Sequence, residues 1–145
     1  VETSNNVASV ITSENEINIV ASQRSNVMSN LENETNTIKA VFELAGAEVK
    51  MSDGYPAWKM NPDSKLTKVA VESYKKLFGK EPIVKGIHAG LECGLFKSAY
   101  PHWDMVSFGP TIQGAHSPDE RVHIPAVEHF WQLLCELLTV IPQKA

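Results

Sequence analysis

The chain has 145 residues, 43% hydrophobic and 21% charged, an ordinary composition that excludes a collagenous, low-complexity or wholly disordered protein and is long enough for a core. Thirteen Lys and Arg against 17 Asp and Glu leave a net charge of -4, which lacks the footprint of a protein that neutralises phosphates, so neither nucleic acid nor an anionic membrane is an expected partner. No apolar run approaches the ~20 residues that span a bilayer, no charged n-region with an apolar h-region opens the sequence as given, and Cys93 and Cys135 lack CxxC spacing; this points to reduced thiols in a cytoplasmic protein, not to a disulfide framework or a zinc finger.

In chain order, residues 7–11 and 17–21 are β-branched runs separated by the polar Thr12-Ser13-Glu14-Asn15-Glu16, which predicts a hairpin. Ser25 is the expected N-cap of a long amphipathic helix carrying Val27, Leu31, Ile38, Val41, Phe42 and Ala45, with Gly46 as its stop. Residues 47–51 form a short strand candidate, broken by the turn residues Asp53-Gly54-Tyr55-Pro56, so the first third reads β-β-α-β. Pro56-Ala57-Trp58-Lys59-Met60-Asn61-Pro62, with two prolines and no period, is the best linker and sets a domain boundary between residues 1–57 and 58–145.

Beyond the linker, Ser64 should cap a helix whose buried stripe is Leu66, Val69, Ala70, Leu77 and Phe78, ending at Gly79. Residues 83–87 then read as a buried strand, 90–99 as a helix, 105–108 as another strand and 109–124 as a long polar loop. Pro125 opens an apolar C-terminal helix through Val127, Phe130, Trp131, Leu134, Leu137, Leu138 and Ile141, which Pro142 ends, and the three tryptophans read as core or hinge packing. The fold class is α/β: a three-stranded sheet with one helix, followed by a partial parallel α/β layer. The chain opens on Val1 and enters strand-like sequence almost at once, so a fragment of something longer is expected.

All five histidines follow the linker, and His102, His123 and His129 read as surface or helix-flank residues without a role. His116 stands in a loop after a predicted strand, where open α/β sheets bind ligands; its imidazole could ligate a metal while nearby carboxylates orient it. The same string supports a second reading, because Ser117, Pro118 and Glu120 match a capping box with Pro at the first helical position. Glu92, in the first turn after His88-Ala89-Gly90-Leu91, could receive a substrate ammonium or simply complement the helix dipole. Cys93 near His88 invites a nucleophile reading, yet nothing supplies an orienting third group, so it reads as a small buried thiol. Arg24, between a strand and the long helix, could hold a carboxylate bidentately or be a solvated arginine.

Three strings together, HAGLECG (88–94), DMVSFGPTIQGAHSPDERV (104–122) and GYPAWKMNPDS (54–64), closely resemble the C-terminal part of aminoacyl-histidine (Xaa-His) dipeptidases, the carnosine-cleaving branch of the M20 metallopeptidases, and the resemblance runs over essentially the whole chain. It implies a two-zinc α/β catalytic domain interrupted by a ferredoxin-like β-α-β-β-α-β lid, with residues 1–57 the C-terminal part of the lid and 58–145 the C-terminal part of the catalytic domain. It also implies His116 as a ligand of one zinc, and Arg24 and Glu92 as groups contacting a dipeptide substrate. The other metal ligands and the carboxylate general base lie upstream in the family, so no catalytic residue is expected here and this length of chain alone should be inactive. Apolar faces left uncovered in a fragment favour self-association, and a homodimer is an expected partner. The alternatives are another M20 activity, such as a tripeptidase, acylase or deacetylase, and a non-catalytic α/β binding module.

Overall fold

A computed structural model describes residues 1–52, 54–88 and 92–141. In chain order its elements are β1 (Thr3–Thr12), β2 (Ile17–Ser25), α1 (Met28–Leu44), α2 (Lys65–Phe78), α3 (Glu92–Ala99), β3 (Ile112–Gln113), β4 (Arg121–Val122) and α4 (Ile124–Val140). They fall into two compact units, Val1–Asn61 with Lys85–Trp103 and Pro62–Val84 with Asp104–Ala145. The class is mixed α/β, as the alternation of patterns in the sequence requires.

In the first unit the two β-branched runs pair as an antiparallel hairpin, from Thr3 opposite Ser25 to Thr12 opposite Ile17, with a bulge between Val7 and Ser9. The tip closes where the Ser13 N–H donates to the Glu16 carbonyl at 2.9 Å. At the open end the Thr3 and Ser25 hydroxyls lie 2.9 Å apart, and Ser25 Oγ also accepts from the Val27 N–H at 3.0 Å. Ser25 is therefore still the last residue of β2, and α1 starts later than expected, with Val27 at its N-cap and no side-chain cap. The other end of α1 follows the sequence closely. Gly46 adopts φ 84, its N–H bonds the Glu43 carbonyl, and the Ala47 N–H bonds that of Phe42, the paired bonds of a Schellman motif.

The strand expected at residues 47–51 is not formed, so the sheet here has two strands and not three. A strand exists only when its N–H and C=O groups find a ladder partner, and propensity alone supplies none. Residues 83–87 and 105–108 fail for the same reason, so among the described residues there is no parallel layer. The start of the helix expected at Gly90 lies outside the described residues, as do Asp53 of the predicted turn and Pro142; α3 is described from Glu92 onward and packs its buried Gly94 against the Pro56 backbone.

The second unit is built on α2 and α4. Ser64 Oγ accepts from the Thr67 N–H at 2.9 Å, and Gly79 ends α2 in the left-handed region at φ 64, so both helix signals in the sequence act as expected. Pro125 sits in the first turn of α4, where its missing N–H costs nothing. Ala70, Leu133 and Leu137 form the buried core, with Val69, Tyr74, Phe78, Val106, Phe108 and Ile141 packed around it. The buried stripe of α4 is narrower than its apolar sequence: Trp131, read from the sequence as core or hinge packing, is 61% exposed, and Leu138 is 63% exposed. Among the described residues no helix is long and apolar enough to cross a membrane.

Candidate functional site

The loop expected at 109–124 contains a small hairpin that the sequence did not announce. β3 and β4 pair Ile112 with Val122 and Gln113 with Arg121, and the His123 N–H continues the ladder to the Thr111 carbonyl at 2.9 Å. Residues 114–120 form its tip as two successive turns: the Ser117 N–H bonds the Gly114 carbonyl, and the Glu120 N–H bonds the Ser117 carbonyl, each at 3.1 Å. Gly114 enters at φ 63, a conformation open to glycine, and a Cβ there would meet the Asp119 carbonyl and Ser117 Oγ at 3.1 Å.

His116 occupies this tip with φ 62, the single non-glycine residue at positive φ among those described. Left-handed backbone costs an ordinary side chain about 1–2 kcal/mol, so the surrounding bonds must hold it. The His116 N–H donates to Glu120 Oε2 at 2.8 Å, while Ser117 Oγ donates to the Gly114 carbonyl at 2.7 Å and accepts from the Asp119 N–H at 3.3 Å. These bonds displace the capping-box reading of Ser117, Pro118 and Glu120. No helix follows Ser117, and the Glu120 carboxylate reaches the N–H of His116, not that of Ser117. The His116 residue is exposed, and its imidazole makes no hydrogen bond among the described residues.

Arg24 and Glu92 belong to the unit that does not contain His116. Arg24 lies on β2 opposite Ser4, exposed, and Glu92 is the exposed first residue of α3. Residues 89–91, the glycine-containing junction before Glu92, lie outside the described residues. Burial, and then the Glu92 charge beside it, push the Cys93 thiol above its ordinary range, the reverse of what an activated nucleophile needs. Of the histidines given no role, His129 packs its ring on Phe78 with centroids 4.8 Å apart.

Among the described residues no group of three or more His, Cys, Asp or Glu side chains is placed to hold a metal ion. His116 offers an exposed imidazole on a backbone tied by its N–H to Glu120, and among the described residues it belongs to no group of three or more such side chains that could hold a metal. The sequence missed what Gly114, Ser117 and Glu120 do for this tip; the Gly-x-His-Ser spacing was the available sign of a tight turn.

With that geometry in view, the description of peptidase family M20/M25/M40 matches residues 3–140, and the chain belongs to this family. It is 46% identical over 144 residues to the cytosol non-specific dipeptidase of Escherichia coli (strain K12), covering 99% of this chain and 30% of that protein. It also superposes with a TM-score of 0.78 on the crystal structure of aminoacylhistidine dipeptidase from Vibrio alginolyticus, at 46% identity, covering 100% of this chain and 30% of that one. The chain thus spans about 30% of the length of the relatives it matches.

Proposed function

We propose that the chain is the C-terminal portion of a zinc-dependent, cytoplasmic dipeptidase that hydrolyses Xaa-His dipeptides of the carnosine type, with a homodimer as its assembly. The reading is supported by one observation, 46% identity across the whole chain to the aminoacylhistidine dipeptidase of Vibrio alginolyticus. His116, offered from the β3–β4 tip, is the residue of this chain that would hold a metal. When bound, a metal pair would supply a water acidic enough to attack the peptide carbonyl, with the general base and remaining ligands outside this sequence. Arg24 would grip the substrate's terminal carboxylate through its guanidinium fork, and Glu92 would receive the ammonium end. Residues 1–57 would form part of a lid and 58–145 part of the catalytic domain.

A second reading, a dipeptidase of broad side-chain preference, is favoured by the "non-specific" in the name of the Escherichia coli relative. The two separate on the full-length enzyme assayed with zinc on Xaa-His dipeptides, on dipeptides without histidine, on tripeptides and on N-acyl amino acids. A strong preference for Xaa-His supports the first, equal rates on all dipeptides the second, and turnover of only tripeptides or acyl amino acids would overturn both. In the same enzyme His116→Ala should lower zinc content by elemental analysis and cut turnover by more than ~100-fold, beyond what loss of an outer partner costs a metal site. Melting should barely change, because the residue is exposed. Unchanged zinc with near-normal turnover would remove His116 from the site.

A further inference from the structure

We infer that Glu120 is a positioning residue for His116: its carboxylate fixes the backbone that presents the imidazole, and does not itself bind metal. This rests on the reading of His116 as a metal ligand. The turn closed by the Ser117 N–H on the Gly114 carbonyl puts His116 in its third place at φ 62, a place that usually takes glycine or asparagine. Strand pairing cannot hold it there, since the ladder stops at Gln113 opposite Arg121. Beside the turn bond and the two bonds of Ser117 Oγ, the tip is tied through His116's own N–H, which is donated to Glu120 Oε2 at 2.8 Å.

Glu120 is in turn anchored from both sides. Its N–H bonds the Ser117 carbonyl at 3.1 Å, and the next residue, Arg121, is locked into β4 with its Nε donating to Gln113 Oε1 at 3.1 Å. The carboxylate therefore bridges from the start of a paired strand back to the tip. A charged acceptor makes the stronger bond, and a glutamine amide oxygen can reach the same N–H with a weaker one. Loss of the bond frees a left-handed histidine to leave φ 62, and a ligand that must first be reordered binds more weakly.

The test uses the full-length enzyme with Glu120→Ala, Glu120→Gln and His116→Ala, zinc affinity being read by competition with a chromogenic chelator and the His116 amide by hydrogen exchange without metal. Glu120→Ala should speed exchange of that amide and weaken zinc ~10-fold or more, with turnover recovered in excess zinc at an unchanged KM. Glu120→Gln should stay within about threefold of wild type on both readouts, because it keeps an acceptor in place. Wild-type exchange and zinc affinity in Glu120→Ala would overturn the inference. So would zinc loss in Glu120→Gln equal to that in Glu120→Ala, which would make the carboxylate a ligand. Full zinc in His116→Ala would instead sink the underlying metal reading, whereas zinc loss there beside normal binding in Glu120→Ala would sink the positioning role alone.

Discussion

The hairpin β1–β2 runs from the Thr3–Ser25 pair to the Thr12–Ile17 pair and is held by a long backbone ladder, whereas β3–β4 pairs Ile112 with Val122 and Gln113 with Arg121, and its tip joins two backbone turn bonds to side-chain bonds from Ser117 and Glu120. In the first, β-branched runs fit a pleated surface and any one side chain is dispensable to the ladder. In the second, each of Gly114, Ser117 and Glu120 closes a specific bond or admits a specific φ. A long ladder makes a platform, and a short one with a tied tip can place a single side chain, which is where the candidate ligand stands.

The largest effect that separates the two hairpins is expected from Gly114→Val. A β-branched residue at φ 63, with its Cβ at 3.1 Å from the Asp119 carbonyl, should cost the tip ~2 kcal/mol, expose the His116 amide to exchange and lower turnover of the full-length enzyme at least ~10-fold. A silent Gly114→Val would mean that strand pairing alone holds the tip. Ser117→Ala should come next, at about 1 kcal/mol, since it deletes both the bond to the Gly114 carbonyl and the one from the Asp119 N–H. Local exchange rates at 114–120 measure it. The smallest change should be Gln23→Ala in the long hairpin: its cross-strand bond to Asn5 Oδ1 at 3.1 Å sits on a ladder complete without it, so denaturant unfolding should shift by less than ~0.5 kcal/mol. A larger cost than that of Ser117→Ala would show that β1–β2 depends on side chains after all.

The same division explains which parts of the fold were legible in the sequence. Ser64 and Gly79 delimit α2 as expected because a cap and a left-handed stop act within one turn of chain. Ser25 misled because its hydroxyl had a competitor: Thr3, 22 residues earlier, holds it in the sheet while the Val27 N–H uses its other side. Residues 47–51, 83–87 and 105–108 carry strand composition, but no local signal says whether a partner will lie alongside. At the site, the position of His116 in a loop was readable and so was its family motif. Its geometry was not, since Ser-Pro-x-Glu describes a helix cap and a pair of reverse turns equally well until the N–H that Glu120 reaches is known.

At Gly94 in α3, a Cβ would run into the Pro56 carbonyl oxygen, a main-chain atom and not the far end of a flexible side chain that could yield. The two prolines of 56–62 suggest a tether that can be altered freely, and at this end the molecule contradicts that. In the currency of mutational tolerance, position 94 should accept glycine alone, while Gly54, with nothing near its added Cβ, should accept alanine. Random mutagenesis scored by soluble yield should therefore find a silent site and a forbidden one in the same unit, and second-site changes that rescue Gly94→Ala should fall at Pro56, where the main chain could move away.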